Sequence, residues 1–121
     1  MSAAQLAAAA VLSAVGAMAR FTIDGEVTVR RRGDFPLGTL VVNLSGAFLL
    51  GLLVGLDAGA GVLLLAGTAT LGSYTTFSTW MLESHRLGEG GRWAPLAVNV
   101  AVSLAVGLAL IALGRAVGGL L

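Results

Sequence analysis

The sequence predicts an all-α membrane protein with four transmembrane helices, the third of them broken near the bilayer midplane. Hydrophobic residues make up 57% of the 121 positions and charged residues only 11%, with a mean hydropathy of +0.95. This composition is far from that of a soluble globular domain. Four apolar segments follow one another, approximately residues 3–21, 37–56, 61–84 and 94–117, with short polar connections between them. We therefore expect a single four-helix transmembrane domain over residues 1–121.

Several classes of function lose support at once. The chain has no cysteine and one histidine, His85, which cannot form a zinc or haem centre by itself. It has no lysine, so the glycines at Gly67 and Gly72, although spaced as in a phosphate loop, lack the residue that reaches the phosphates. No span holds a pair of carboxylates or a nucleophile beside a base. The chain is not expected to be an enzyme, and its scattered arginines do not favour nucleic acid.

The first segment, about Ala3 to Phe21, is rich in alanine. A cleaved signal peptide is one interpretation, because Ala17-Met18-Ala19 has the small residues of a cleavage site. A retained span is preferred, since residues 1–10 carry no Lys or Arg and no soluble domain follows. The connection from Thr22 to Phe35 is charged and is predicted to be a solvated loop.

Pro36 precedes the second segment, Leu37 to Leu56, at a position where a missing N–H costs a helix nothing. Gly51 and Gly55 have the four-residue spacing that lets membrane helices approach closely. Asn43 is an amide inside an apolar helix and needs a partner. It either makes a hydrogen bond between helices or lines a pore, and the sequence leaves both open.

The third segment begins near Gly61 and contains the polar run Thr68 to Trp80. The ten residues from Val62 to Leu71 span about half of a ~30 Å hydrocarbon core at ~1.5 Å per residue. The break is thus predicted near the midplane, between Gly72 and Thr76. Lipid offers no hydrogen bonds to backbone groups, so a break at this depth must lie in protein or line a cavity.

The fourth segment starts with Trp93, an expected interfacial anchor, and contains the polar residues Asn99 and Ser103 on one helix face. Six of the seven arginines flank the first and third loops, and only Arg115 lies at the opposite end. The positive-inside rule then places those two loops in the cytoplasm of a cell-membrane protein with both termini outside.

The chemistry of the break favours an ion site. Unwinding frees carbonyl oxygens between Gly72 and Thr76 that can bind a cation such as Na⁺. Hydroxyl and amide groups can donate to a small anion, and the edges of aromatic rings carry positive partial charge. The predicted anion pathway consists of Asn43, Thr76, Phe77, Ser78, Trp80 and Ser103. The alternative is that the hydroxyls only bond within their own helices.

The sequence resembles the Fluc (CrcB) fluoride channels in Gly38-Thr-Leu-Val-Val-Asn-Leu-Ser-Gly46, Gly72-Ser-Tyr-Thr-Thr-Phe-Ser-Thr79 and Gly16-Ala-Met-Ala-Arg20. The resemblance covers the four spans and implies a passive, fluoride-selective channel that lets fluoride leave the cytoplasm and lowers its toxicity. It further implies a dimer of two oppositely oriented subunits in the lipid bilayer with a buried structural Na⁺.

By matching position, the resemblance assigns the carbonyls of Gly72 and Thr75 to that Na⁺. It also assigns Phe77 to an aromatic box, Asn43, Thr76 and Ser103 to the fluoride pathway, and Arg20 to an aqueous vestibule. The sequence departs from the family at three positions: Trp80 replaces phenylalanine, Ser73 replaces glycine, and Asn99 replaces tyrosine.

The arginine asymmetry predicts that this subunit inserts in one orientation and pairs with an oppositely biased homologue rather than with itself. Two other functions compete with the channel. A small multidrug- or guanidinium-type exporter would need a carboxylate in the first span, and residues 1–21 have none. A non-transporting membrane scaffold would use the break only as a kink.

Overall fold

The computed structural model describes residues 1–121 and contains helices and short connections, with no strand. Three helices are long and apolar enough to cross a membrane: α1 (Ala3–Arg30), α2 (Leu37–Gly55) and α6 (Trp93–Leu120). Between α2 and α6 the chain forms α3 (Ala60–Val62), a π-helical segment (Leu63–Leu71), α4 (Gly72–Tyr74) and α5 (Ser78–Glu89). The all-helical class and the multi-pass membrane character predicted from the sequence are confirmed.

Helix α1 is nine residues longer than predicted. The expected loop from Thr22 to Phe35 is helical as far as Arg30, so that the prediction was wrong for most of this stretch. Charged and polar residues can continue a helix beyond the apolar segment, because their side chains form ion pairs and hydrogen bonds with residues one helical turn away. Arg30 pairs with Glu26 one turn earlier at 3.5 Å, and the Thr22 hydroxyl donates to the Met18 carbonyl at 2.9 Å.

Helices α2 and α6 form the most extensive helix pair. A side chain at Gly51 would run into the carbonyl of Ile111, and one at Gly55 into that of Arg115. In return, Gly114 of α6 lies against the carbonyl of Phe48. The predicted close approach through Gly51 and Gly55 is therefore confirmed, and glycines of α6 complete it from the other side.

Helix α1 packs mainly on the π-helical segment, and also on α2 and α4. Gly16 makes this possible, because a side chain there would meet the carbonyl of Thr70. The sequence did not predict the π-helix, which has one extra residue per hydrogen-bonded turn. Side chains support its carbonyls: Ser13 of α1 donates to Ala69 at 3.2 Å, and Thr70 donates to Leu65 at 2.7 Å.

The loops before α2 and before α6 lie together at one end of the helices. Arg92 donates to the Asp34 carboxylate across them. Arg115 contacts Gly55 at the other end of α2. Few large apolar side chains are buried, whereas Phe21 is 80% exposed and Leu108 68%. Such a surface requires lipid or another subunit as its surroundings.

Candidate functional site: a broken helix beside a groove

The helix of the third segment is interrupted at Thr75–Phe77. Thr75 is extended, with φ −83° and ψ 162°, and α5 begins at Ser78. The predicted break, between Gly72 and Thr76, thus starts three residues too early, since Gly72–Tyr74 is α-helical. The predicted interruption of the helix is nevertheless present within this apolar segment.

Asn43 of α2 replaces the helical hydrogen bonds that Thr76 has lost. Its Oδ1 accepts from the Thr76 N–H at 2.8 Å, and its Nδ2 donates to the Thr76 carbonyl at 2.9 Å. Both polar atoms of the amide therefore bond to one residue of the break. Of the two interpretations left open by the sequence, the interhelical bond is observed, and one N–H of Nδ2 has no partner in the chain.

At the break, the backbone carbonyls of Gly72 and Thr75 have lost their helical donors. Gly72 would ordinarily accept from the N–H of Thr76, which instead donates to Asn43. Thr75 would accept from Thr79, whose N–H donates to the Thr76 hydroxyl at 3.2 Å. These oxygens are free neutral ligands of the kind that a hard cation takes in broken membrane helices.

A groove of about 580 Å³ opens beside the break. Six of the predicted site residues line it: Asn43, Gly72, Thr75, Thr76, Phe77 and Trp80. The remaining lining is mostly small or apolar and comes from α2, the π-helical segment and α6: Gly46, Ala47, Leu50, Leu63, Gly67, Thr68, Leu71 and Ile111. The tertiary structure thus joins α2 residues to the break.

The two aromatic residues of the site contact each other edge to face. The ring centroids of Phe77 and Trp80 are 5.7 Å apart and the ring planes make an angle of 77°. Phe77 is 70% exposed, while Trp80 is half-buried. The indole N–H of Trp80 donates to the Asn99 carbonyl of α6 at 3.4 Å, so it is occupied within the chain.

Three predicted residues lie outside the groove lining. Ser78 is exposed at the start of α5, and the buried Ser103 hydroxyl on α6 has no partner. Arg20 does not extend freely into solvent: its Nε donates to the Ser73 carbonyl at 3.5 Å. It therefore supports a third carbonyl that the break has left without a backbone donor.

The comparison with protein families agrees with these observations. The model of the family "CrcB-like protein, Camphor Resistance (CrcB)" matches residues 7–115. The chain belongs to the CrcB family.

Curated proteins named fluoride-specific ion channels are similar to this chain over most of their length. The chain is 52% identical over 106 residues to fluoride-specific ion channel FluC 2 of Mycolicibacterium paratuberculosis (strain ATCC BAA-968 / K-10), covering 88% of this chain and 87% of that protein. It is 47% identical over 105 residues to FluC 2 of Mycobacterium tuberculosis (strain ATCC 25618 / H37Rv), covering 87% and 83%. It is 45% identical over 103 residues to FluC 1 of Geobacillus kaustophilus (strain HTA426), covering 85% and 88%. The relatives are ion channels, as the prediction that this chain is not an enzyme requires.

Other polar residues of this CrcB chain were missed by the sequence reasoning. Ser84 hydrogen-bonds to both α6 and its own helix, and Ser13 supports the π-helical segment. A buried hydroxyl of Thr39 on α2 lies near a buried carboxyl oxygen of Glu83 on α5. Spacing was the available signal, because Thr39 precedes Asn43 by four residues and Ser84 follows Trp80 by four.

A second cavity, of about 360 Å³, lies at the end of the helices where the charged loops meet. It is lined by residues of the α1–α2 connection, α5 and the α5–α6 connection, among them Asp34, Glu83, Arg86 and Arg92. Its two arginines, Arg86 of α5 and Arg92 of the α5–α6 connection, thus lie at the same end of the helices as Asp34 of the α1–α2 connection.

Proposed function

We propose that the chain is a subunit of a passive, fluoride-selective channel in the cell membrane that lets fluoride leave the cytoplasm. The observation that carries this proposal is the match, over more than four fifths of the chain, to proteins named fluoride-specific ion channels. The break beside a groove supports it. A channel needs polar backbone and side chains at membrane depth, where an ordinary packed helix has none.

The proposed pathway uses donors without fixed charge. Asn43 has one free amide hydrogen, Thr76, Ser78 and Ser103 have hydroxyls, and Phe77 and Trp80 offer ring edges. A small anion loses tightly held water on entering the membrane and needs such donors in its place. Fixed positive charge would hold the anion too firmly for rapid exit. Arg20 is proposed to attract anions at the entrance.

We further propose that the third span consists of two half-helices, residues 60–74 and α5, which makes four spans in all. Both arginine-rich loops would then lie in the cytoplasm. The contact between Asp34 and Arg92 supports this arrangement, because it holds the two loops at the same end.

The active form is proposed to be a dimer of oppositely oriented subunits around a structural Na⁺. The free carbonyls of Gly72 and Thr75 fit such an ion, since they are neutral oxygens at an exposed groove. A two-fold axis through the groove would bring two pairs of them together. Na⁺ would bind at the negative ends of these carbonyl dipoles. We propose that it stays in place and is not transported.

Given the arginine bias, the partner is proposed to be a homologue with the opposite bias rather than a second copy. The test is fluoride efflux from liposomes, followed with a fluoride electrode. The chain alone is compared with the chain together with an oppositely biased homologue, each in Na⁺ and in a large organic cation. We expect efflux only with the homologue and only in Na⁺.

Each of the other outcomes would contradict a different part of the proposed function. Full efflux from this chain alone would overturn the hetero-pairing, and efflux without Na⁺ would overturn the cation site. Proton-coupled transport of a guanidinium compound would favour the exporter. If substituting Thr75 or Phe77 in the active pair left efflux unchanged, the break would be only a kink in a scaffold.

A further inference from the structure

Trp80 and Ser84 of α5 and Asn99 of α6 form a closed ring of three hydrogen bonds. The indole Nε1 donates to the Asn99 carbonyl at 3.4 Å, and the Asn99 Nδ2 donates to the Ser84 hydroxyl oxygen at 2.9 Å. The Ser84 hydroxyl in turn donates to the carbonyl of Trp80 at 2.8 Å. Every step of the ring connects the two helices or two successive turns of α5.

Asn99 is an unusual residue for its place. It is 1% exposed in a helix that is otherwise mostly apolar, and its Oδ1 has no partner. An amide buried in this way is costly unless its hydrogen bonds compensate. Its Nδ2 finds the equally buried Ser84, which is 5% exposed. The pair sets how far α5 can rotate or slide against α6.

This restraint acts on the orientation of Trp80. The indole bonds to the backbone carbonyl of Asn99, which any residue at that position would offer. At 3.4 Å this bond is long, so a small shift of α5 along α6 would break it. The side chain of Asn99 maintains the bond only indirectly, by holding Ser84 and through it the backbone of Trp80.

The orientation of Trp80 matters to the groove. Trp80 lines the groove with Phe77, against which its ring stands edge to face. With its N–H used inside the chain, the indole can offer an ion only its carbon-bound ring edge. A freed indole could turn its N–H, a stronger donor, toward the same space.

We propose that Asn99 is a positioning residue for the anion pathway, which it controls by fixing the Trp80 indole through Ser84. This inference rests on the proposed function for its effect on transport, but not for its effect on Trp80. The two effects can therefore be measured separately on one set of variants.

The experiment uses the Trp93→Phe background, in which Trp80 is the only tryptophan. Asn99→Leu, Ser84→Ala and the double variant are purified without a partner for fluorescence and are combined with the oppositely biased homologue for efflux. Fluorescence lifetime and anisotropy report the orientation of Trp80, and a fluoride electrode reports efflux. Trp80→Phe in the same background confirms that the signal comes from Trp80.

In each single variant we expect several Trp80 fluorescence lifetimes in place of one main lifetime, and a lower fluorescence anisotropy. We expect fluoride efflux to change roughly tenfold, which corresponds to the loss of one hydrogen bond. If Asn99 and Ser84 act as a unit, the double variant is no worse than either single variant. Independent residues would instead give the product of the two effects, on the order of a hundredfold. That product would overturn the proposal.

Ser84→Thr keeps the hydroxyl and should retain the parental lifetime and efflux, which a purely steric role of position 84 would not allow. Val98→Ala, next to Asn99 but 49% exposed, is the matched control and should change neither readout. If Asn99→Leu folds and changes both the Trp80 fluorescence and the fluoride efflux by less than about twofold, the positioning role is refuted. If the parent carries no fluoride at all, the proposed function fails, and the fluorescence still decides whether Asn99 holds Trp80.

Discussion

In a membrane, backbone N–H and C=O groups need hydrogen-bond partners within the protein. The α2–α6 pair and the broken third segment meet this requirement in opposite ways. In the pair, the helices keep their own hydrogen bonds, and glycines let one backbone touch the other at Gly51, Gly55 and Gly114. In the third segment, the backbone gives up helical bonds, and side chains from neighbouring helices take over part of them. The pair therefore behaves as a scaffold, whereas the break leaves backbone carbonyls without their helical donors.

This difference predicts how substitutions act. Changes in the pair should destroy the fold and activity together, because there is no room for added atoms. Changes at the break should reduce activity while the protein still folds, because only a few hydrogen bonds are lost.

The largest effect is expected for Gly114→Val in the pair. The new side chain would press on the Phe48 carbonyl and the Leu52 N–H of α2, neither of which can move without its helix. Overpacking of this kind costs about 3 kcal/mol or more. The yield of monodisperse protein by size-exclusion chromatography should fall sharply.

Gly119→Val is the matched control on the same helix, since nothing lies within 4 Å of a side chain there. It should keep the parental yield. Equal losses for the two variants would mean that helix propensity, and not the contact between α2 and α6, causes the defect.

Asn43→Leu should have the next largest effect, and mainly on transport. It removes both hydrogen bonds to Thr76 and leaves the Thr76 N–H and carbonyl without partners, at a cost of about 2–3 kcal/mol. We expect monodisperse protein whose fluoride efflux is reduced at least about tenfold.

Asn43→Asp separates the two bonds, because a carboxylate can accept from the Thr76 N–H but cannot donate to its carbonyl. Efflux of this variant should be low as well, since a negative charge would also repel the anion. Parental efflux in Asn43→Leu would show that the break holds its shape without α2.

Gly16→Ala tests where α1 meets the π-helical segment. Its methyl group would meet the Thr70 carbonyl, and displacing the helices costs about 1–3 kcal/mol. Thermal unfolding in detergent should occur at a lower temperature. Gly25→Ala on the same helix has nothing within 4 Å of the added methyl and should not lower it.

The smallest effect is expected for Ser13→Ala, which removes one hydrogen bond at 3.2 Å to the Ala69 carbonyl. A loss of about 1 kcal/mol or less should appear as a small decrease in thermal stability. Faster amide hydrogen exchange confined to residues 63–71 would show that this bond supports the π-helix. Unchanged exchange there would show that packing against Gly16 is sufficient.

Much of the site was predictable from the sequence because polar residues stand out in an apolar chain. Asn43, Thr75 and Thr76 were singled out in this way, Phe77 and Trp80 were singled out for their ring edges, and the structure places all five at one groove. Ser84 was not singled out, since a serine near the end of a span is ordinary. Its role depends on Asn99, which is 15 residues away in the chain.

The sequence by itself determined that the chain is an all-helical, multi-pass membrane protein, that α2 carries a glycine contact, and that the third segment breaks. These properties follow from hydropathy and residue type, which are read locally along the chain. Only the tertiary structure decided that α1 continues to Arg30, that residues 63–71 form a π-helix, and that Asn43 bonds to Thr76. The reason is physical: which carbonyl a side chain reaches depends on the rotation and register of one helix against another, and hydropathy carries no information about either.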